Sequence, residues 1–388
     1  MATLQLNGTT ILTEPATTNP SNPVAGQQYY NTTSNLLKVY NGTSWKIVEI
    51  LGDYNATGGT FKVFTSGNND YLMHIFTESG FFTVTTTITD ATVMLVGGGG
   101  SGGASAGDND IGKGGGGAGG IVFRDGFTIA PATYEIGIGK GGYHPFQKGM
   151  QGATNGGWSH SGAIGRDTHF CDETTSALID VYARGGGGGG GGDNQGAAVD
   201  GGCGGGGGGR NSNSGWNDGA NSNQPSFSNW SSYGYGGGNS NNGNYSGGGG
   251  GGAGGTGANY IGGTNSGTGG AGGVGRDYSS YFGIEVGDRG WFAGGGGGCT
   301  YRTSNWGSQN DLGIGGKGGG GNGLYSEESS QGNTWRQQKQ DGMDGTGGGG
   351  GGAGEDADSV STAHDVRHGT AIGTGGDGIV IVRYKISA

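Results

Sequence analysis

The residue types best suited to chemistry lie between runs of glycine. The stretch RNSNSGWNDGANSNQPSFSNWSSYGYGGGNSNNGNY (210–245) sets Trp216, Phe227, Trp230, Tyr233, Tyr235 and Tyr245 in a background of Asn and Ser. Aromatic faces stack on the apolar faces of sugar rings, and Asn amides donate to and accept from hydroxyls. CTYRTSNWGSQND (299–311) adds Tyr301, Arg302 and Trp306, and GLYSEESSQGNTWRQQ (323–338) adds Tyr325, Trp335 and Arg336. Two readings stand side by side: contact with a glycan or other surface ligand, and mutual packing that holds long loops together. In GGWSHSG, Trp158 and His160 read better as structural.

Catalytic arrangements do not emerge. G-x-G-x-x-G recurs because glycine is abundant, and GIGGKGG and NDIGKGG lack the Ser or Thr of a phosphate loop. The acidic turns GDNDIG (107–112) and GEDADS (354–359) match neither an EF-hand nor a calcium-binding repeat, and read as solvated turns. His364 and His368 have helical spacing but lack a third ligand. Cys171, Cys203 and Cys299 form no C-x-x-C and are odd in number, so neither a zinc set nor a disulfide framework is expected. The expectation is a non-enzyme without cofactor or metal.

What must position the inserts is glycine. Of 106 glycines in 388 residues, 8 fall in residues 1–90 and 98 in residues 91–388. Gly runs stand at 97–100, 114–117, 185–192, 204–209, 247–252, 294–298, 318–321 and 347–352. Collagen is excluded, because it needs a strict Gly-X-Y period and much proline, and only 6 prolines are present. A flexible linker fits poorly with 17 Tyr, 12 Phe and 7 Trp. The remaining possibility is a bundle of extended threefold helices, as in polyglycine II. Their outward N–H and C=O groups bond to neighbouring helices, and a Cβ would block the approach. A run of four to eight residues would span about 12–25 Å.

The flanking segments read as strands. PSNPVAGQQYYNTTSNLLKVYNGTSWKIVEI (20–50) forms a small β-meander with strands at Gln28–Tyr30, Leu36–Tyr40 and Trp45–Ile50. Residues 51–96 alternate apolar and polar side chains and form a β connector, sandwich-like in character. Residues 97–388 form the glycine-rich part with its inserts and a closing strand, GIVIVRYKI. No segment has a helical apolar stripe, so the fold class is all-β.

Net charge of −11 argues against nucleic acid or an anionic membrane as partner. The longest apolar runs are too short to span a bilayer, and MATLQLNGTT lacks the features of a signal peptide.

ESGFFTVTTTITDATVMLVGGGGSGG, GGGGAGGIVF, YEIGIGKGG, VYARGGGGGGGG and GGDGIVIVRY, in this order, resemble the glycine-rich domain of bacteriophage tail-fibre and adhesin proteins. YFGIEVGDRGWFAGGGGG (281–298) looks like an internal strand of that domain. The likeness covers about residues 75–384, and the order of the motifs carries it. Residues 19–48 separately resemble a β module of phage tail and fibre proteins. The resemblance implies a polyglycine II domain whose end loops bind a host receptor. It also implies a virion location, attachment to other tail or baseplate proteins through residues 1–50, and leaves a homotrimer open. The alternative is a structural or decorating virion protein of capsid, neck or baseplate. The inserts at 210–246, 253–293 and 322–346 are longer and more individual than in many relatives, and the sequence does not say which of them share an end.

Overall fold

The computed structural model describes residues 2–6, 9–33, 36–50, 55–66, 69–106, 112–143, 158–172, 179–191, 196–209, 218–240, 246–263, 266–302, 312–323, 325–327, 341–353 and 372–386. Five strands open the chain: β1 (Ala2–Leu6), β2 (Thr9–Ala16), β3 (Gln28–Asn31), β4 (Leu36–Tyr40) and β5 (Trp45–Ile50). They form one sheet in sequence order, antiparallel except between β2 and β3. Next come β6 (Ala56–Thr57), β7 (Thr60–Ser66), β8 (Asn69–Phe76), β9 (Gly80–Val84) and β10 (Ile88–Val96). Beyond them lie β11 (Ala104–Ala106), β12 (Ile121–Ile129), β13 (Ala132–Gly137), β14 (Trp158–His160), β15 (Thr168–Asp172), β16 (Asp180–Ala183) and β17 (Ser231–Tyr233). Short pieces follow: β18 (Ile261–Gly263), β19 (Ser266–Thr268), β20 (Arg276–Asp277), α1 (Ser279–Phe282), β21 (Trp291–Phe292), β22 (Thr300–Arg302) and β23 (Tyr325–Glu327). The chain closes in β24 (Ile379–Lys385). Among the described residues α1 is the only α-helix, so the fold is all-β, as the sequence predicts. Within YFGIEVGDRGWFAGGGGG, however, Tyr281 and Phe282 end α1, and the strand is confined to Trp291–Phe292.

Two sheets pack face to face. One has the order β17-β12-β10-β24-β8-β7 and the other β16-β15-β13-β9-β6. Phe82, Tyr134, Ile136 and Phe170 from the second meet Leu72, Val93, Leu95 and Val382 from the first. The opposite face of the six-stranded sheet is covered too, where Met73, Met94, Ile121 and Ile381 pack under Tyr278, Phe282 and Phe292. Burial on both faces explains why β10 and β24 read as unbroken apolar runs, ATVMLV and IVIV, rather than as alternating strands. Residues 51–96 supply only β6–β10. The other strands of both sheets come from beyond residue 97, so sandwich and glycine region interweave instead of following one another as the sequence suggests. The N-terminal sheet is tied in as well: buried Lys38 on β4 donates from Nζ to the carboxylate of buried Asp70 on β8.

Past the sandwich, strands continue as rods. The rod 97–103 extends β10, and its amides address three neighbours in rotation. Gly97, Gly100 and Gly103 donate to Gly120, Gly117 and Gly114; Gly98 and Ser101 to Arg166 and Ala163; Gly99 and Gly102 to Gly376 and Gly373. These bonds measure 2.8–3.0 Å. A partner that recurs every third residue is the signature of a helix with three residues per turn. The carbonyls do the same for other neighbours: Gly186 and Gly189 donate to Gly98 and Ser101, and Gly350 and Ala353 to Gly100 and Gly103. Backbone pairing thus replaces side-chain packing, and every buried amide in such a rod must find a partner. A Cβ at Gly188 would stand 1.8 Å from the Gly162 oxygen, and one at Gly114 1.9 Å from the Gly206 oxygen.

Inner and outer rods differ in sequence. In the glycine runs 97–100, 114–117, 185–190, 204–209 and 347–352 every position is buried. Outer rods carry glycine only where they face inward. In GGAGGVG (269–275), Ala271 and Val274 are exposed, three apart, while Gly270 and Gly273 are buried. In GIGGK (313–317), Ile314 and Lys317 are exposed and Gly313 and Gly316 buried. At the bundle's edge, side chains take the place of a missing rod. Gly185 N–H donates to Asp167 Oδ1 (2.8 Å), Gly141 to Asp377 Oδ1 (2.9 Å), Gly219 to Asn239 Oδ1 (2.9 Å) and Asn239 to Asn259 Oδ1 (2.8 Å). Asn239, part of the Asn/Ser background that sequence reading gives to a ligand-facing insert, serves here.

Candidate functional site

The direction of each rod follows from its bonding register. Rod 97–103 leads away from the sandwich. Its partners 114–120, 161–166 and 373–378 pair with falling residue numbers and so return. Rod 184–190 pairs with 97–103 in rising order and runs outward. The same reading applied rod by rod gives outbound rods at 97–103, 139–142, 184–190, 203–209, 235–239, 257–260, 294–299, 320–323 and 347–353. Returning rods lie at 114–120, 161–166, 197–202, 219–223, 247–253, 269–275, 313–317, 342–345 and 373–378. Among the described residues, direction alternates from each rod to the next.

This alternation sorts the connections. Those after returning rods sit at the sandwich end and include β12, β13, β15, β16, β17 and the segment β20–α1–β21. Those after outbound rods leave from the far end. They comprise 104–113, 143–160, 191–196, 210–218, 240–246, 261–268, 300–312, 324–340 and 354–372. The long polar connections are therefore rooted together, opposite the sandwich. This settles the question of shared ends that spacing alone leaves open, because stretches such as GANSN, GANY and GGAGGVG prove to be rods.

The sequence-predicted residues divide accordingly. The insert 210–246 is not one loop: 219–223 and 235–239 are rods within it. Phe227, Trp230 and Tyr233 lie on the connection at the sandwich end. Phe227 packs edge-on to Tyr182 (5.3 Å between centroids), and Trp230 packs on Phe127 (5.3 Å), whose ring also carries the Arg124 guanidinium (4.4 Å). Tyr233 on β17 lies under the Arg276 guanidinium at 3.6 Å. For these three the packing reading accounts for the side chains. Tyr235 starts an outbound rod and is exposed. The insert 253–293 likewise holds two rods and the cover of the six-stranded sheet.

At the far end, β22 and β23 pair in parallel. Tyr301 is opposite Ser326, Thr300 opposite Tyr325, and Arg302 opposite Glu327. Tyr301, Arg302 and Tyr325 are thus brought onto adjacent strands from segments distant in sequence. β11 and β14 form a second pair there, with Ala106 opposite Trp158 and Ala104 opposite His160. Trp216, Trp306, Trp335 and Arg336 lie outside the described residues, as do His364, His368, Tyr245, residues 107–111 and the whole turn 354–359. The chain stretches that carry the four candidates leave and re-enter the bundle at this same end.

No family model and no curated protein matches the chain.

Two titratable groups inside the fold are held neutral by burial. His74 is buried among Phe61, Phe82 and Tyr384, with Nδ1 2.8 Å from the Gly58 oxygen. Desolvation holds its pKa down at about 4, against the opposing effect of the Gly58 contact. Burial pushes the Cys203 thiol up to about 12, which leaves it protonated and inert in the rod bundle. No helix of the described residues is long and apolar enough to cross a membrane. One group that sequence reading missed is Glu135, His169 and Cys171. Its only sequence signal is the i, i+2 spacing of His169 and Cys171 on a strand, with Glu135 remote in sequence.

Proposed function

We propose that this chain is a bacteriophage fibre or adhesin that recognises the host surface with the end of its rod bundle opposite the sandwich. The observation that supports the reading is the alternation of rod direction, which roots the nine connections that follow outbound rods at one end. Recognition needs side chains of independent sequence held in fixed relation, and a lattice of bonded rods holds their attachment points with little freedom. The aromatic and Asn/Ser content of the inserts suits a glycan. Residues 1–50 are the proposed attachment to tail or baseplate proteins in the virion.

The test is binding of purified full-length protein to host cells, with glycan competition. The triple variant Trp216→Ala, Trp306→Ala, Trp335→Ala should lose binding, while Tyr233→Phe at the sandwich end should keep it. Absence of binding by the unaltered protein would overturn the reading in favour of a decorating role on the virion.

A further inference from the structure

The outer face of the five-stranded sheet carries three chemically distinct donors close together. Glu135 on β13 lies directly opposite Cys171 on β15, and Gly137 lies opposite His169. Phe170 points into the sandwich core, so its neighbours His169 and Cys171 project outward on the same face as Glu135. One ligand atom from each of the three lies within 4.8 Å of those of the other two. His169 Nε2 is 3.5 Å from Glu135 Oε1, with both side chains partly exposed.

Gly137 shapes this arrangement. A Cβ there would stand 1.9 Å from His169 Cε1 and 2.4 Å from its Nδ1 and Nε2. The imidazole thus lies across β13 in the notch that glycine leaves. Any other residue at 137 would swing it out of that notch. Because the nearest atoms all belong to the end of a movable side chain, such a change would shift the ring first.

We propose that Glu135, His169 and Cys171 bind a thiophilic divalent transition-metal ion of the zinc class. A thiolate, an imidazole and a carboxylate are the donors zinc takes in proteins, whereas calcium and magnesium select oxygen alone. Zinc–ligand bonds of about 2.0–2.3 Å require the donors to close in slightly. Partly exposed side chains on a fixed backbone can do this by small rotations. Three protein donors leave a fourth position toward solvent for water or a donor from another molecule. Binding takes the thiolate form, so Cys171 releases its proton to solvent as the metal–sulfur bond forms. Cys203 and Cys299 cannot substitute, since both are buried, at 0% and 1% exposure.

The experiment is a titration of metal-stripped, reduced full-length protein with Co²⁺, followed by the thiolate-to-cobalt charge-transfer band and by displacement with Zn²⁺. One equivalent should saturate the band. Cys171→Ser should abolish it, and His169→Ala and Gly137→Ala should each weaken binding about tenfold or more, with unchanged circular dichroism and melting of the apoprotein. Absence of a band at stoichiometric Co²⁺, or a band that survives Cys171→Ser, would overturn the proposal. So would Co²⁺ affinity unaffected by His169→Ala.

Discussion

The sandwich and the rod bundle are built from the same segments of chain, one continuing into the other, yet a methyl group has opposite meanings in them. In the sandwich, Phe82, Tyr134 and Phe170 fill the gap between two sheets, which stack about 10 Å apart. Removing atoms there leaves a cavity. In the bundle, the extensions of those sheets touch backbone to backbone: Gly98 on the extension of β10 donates directly to Arg166, just before β15, at 3.0 Å. Adding atoms there forces rods apart. Strand neighbours remain rod neighbours, as β10 with β12 and β15 with β16 show, so one hydrogen-bonding register serves both regions. The lesson is that glycine content tracks the distance between layers.

The sharpest way to break this comparison is Gly188→Val. Its Cβ would meet the Gly162 oxygen at 1.8 Å in a rod bonded on all sides. The expected result is loss of the folded state, read as absence of a cooperative melt. Gly255→Ala, with nothing within 4 Å of its Cβ, should melt like the unaltered protein. If both variants melt normally, the rods are not packed as described.

The opposite operation in the sandwich is Phe170→Ala. Phe170 is fully buried, and truncation should cost about 3–5 kcal/mol in denaturant unfolding through lost transfer energy and the cavity left behind. A loss below 1 kcal/mol would show that the sandwich gap is not filled by this ring.

A third effect belongs to the sandwich alone. His74 has a native pKa of about 4 against 6.5 in a solvated reference, so between those values the unfolded chain binds more protons than the folded one. Stability should therefore fall as pH drops from 6.5 to 4 and level off below, by about 3 kcal/mol at most. Melting curves across that range would show the slope, and His74→Leu should flatten it.

The smallest effect separates inner from outer rod positions. Val274→Ser alters a side chain that is 47% exposed and should change stability by less than about 0.5 kcal/mol. Gly273→Ala, one residue earlier, would put a Cβ 2.2 Å from the Gly255 oxygen and should cost several times more. Equal effects would contradict the threefold period of that rod.

These contrasts also explain what the sequence makes legible. The runs at 97–100 and 185–192 announce inner rods, because a rod with neighbours on every side leaves most positions no room for a Cβ. SGAIGR (161–166) and GANY (257–260) do not announce themselves, since an outer rod needs glycine only at inward positions and its other residues look like loop. Missing those rods hides the alternation of direction, and with it the end to which each insert belongs. The aromatics of 210–245 mislead for the same reason: Trp216 precedes a returning rod, and Trp230 follows it. Composition cannot tell a tyrosine under an arginine from one aimed at a ligand. The Glu135–His169–Cys171 group depends on strand register across residues far apart in sequence, which no local pattern encodes.

The alternation of outbound and returning rods has a mechanical consequence. Each long connection at the far end starts from one rod of the bundle and returns into another, and each of these feet is bonded laterally along its length. Tension applied to such a loop loads those bonds in shear, many at once, in place of peeling them one by one. A chain pulled by its far-end loops should therefore hold to a single high-force rupture, without the stepwise lengthening of a hairpin that unzips.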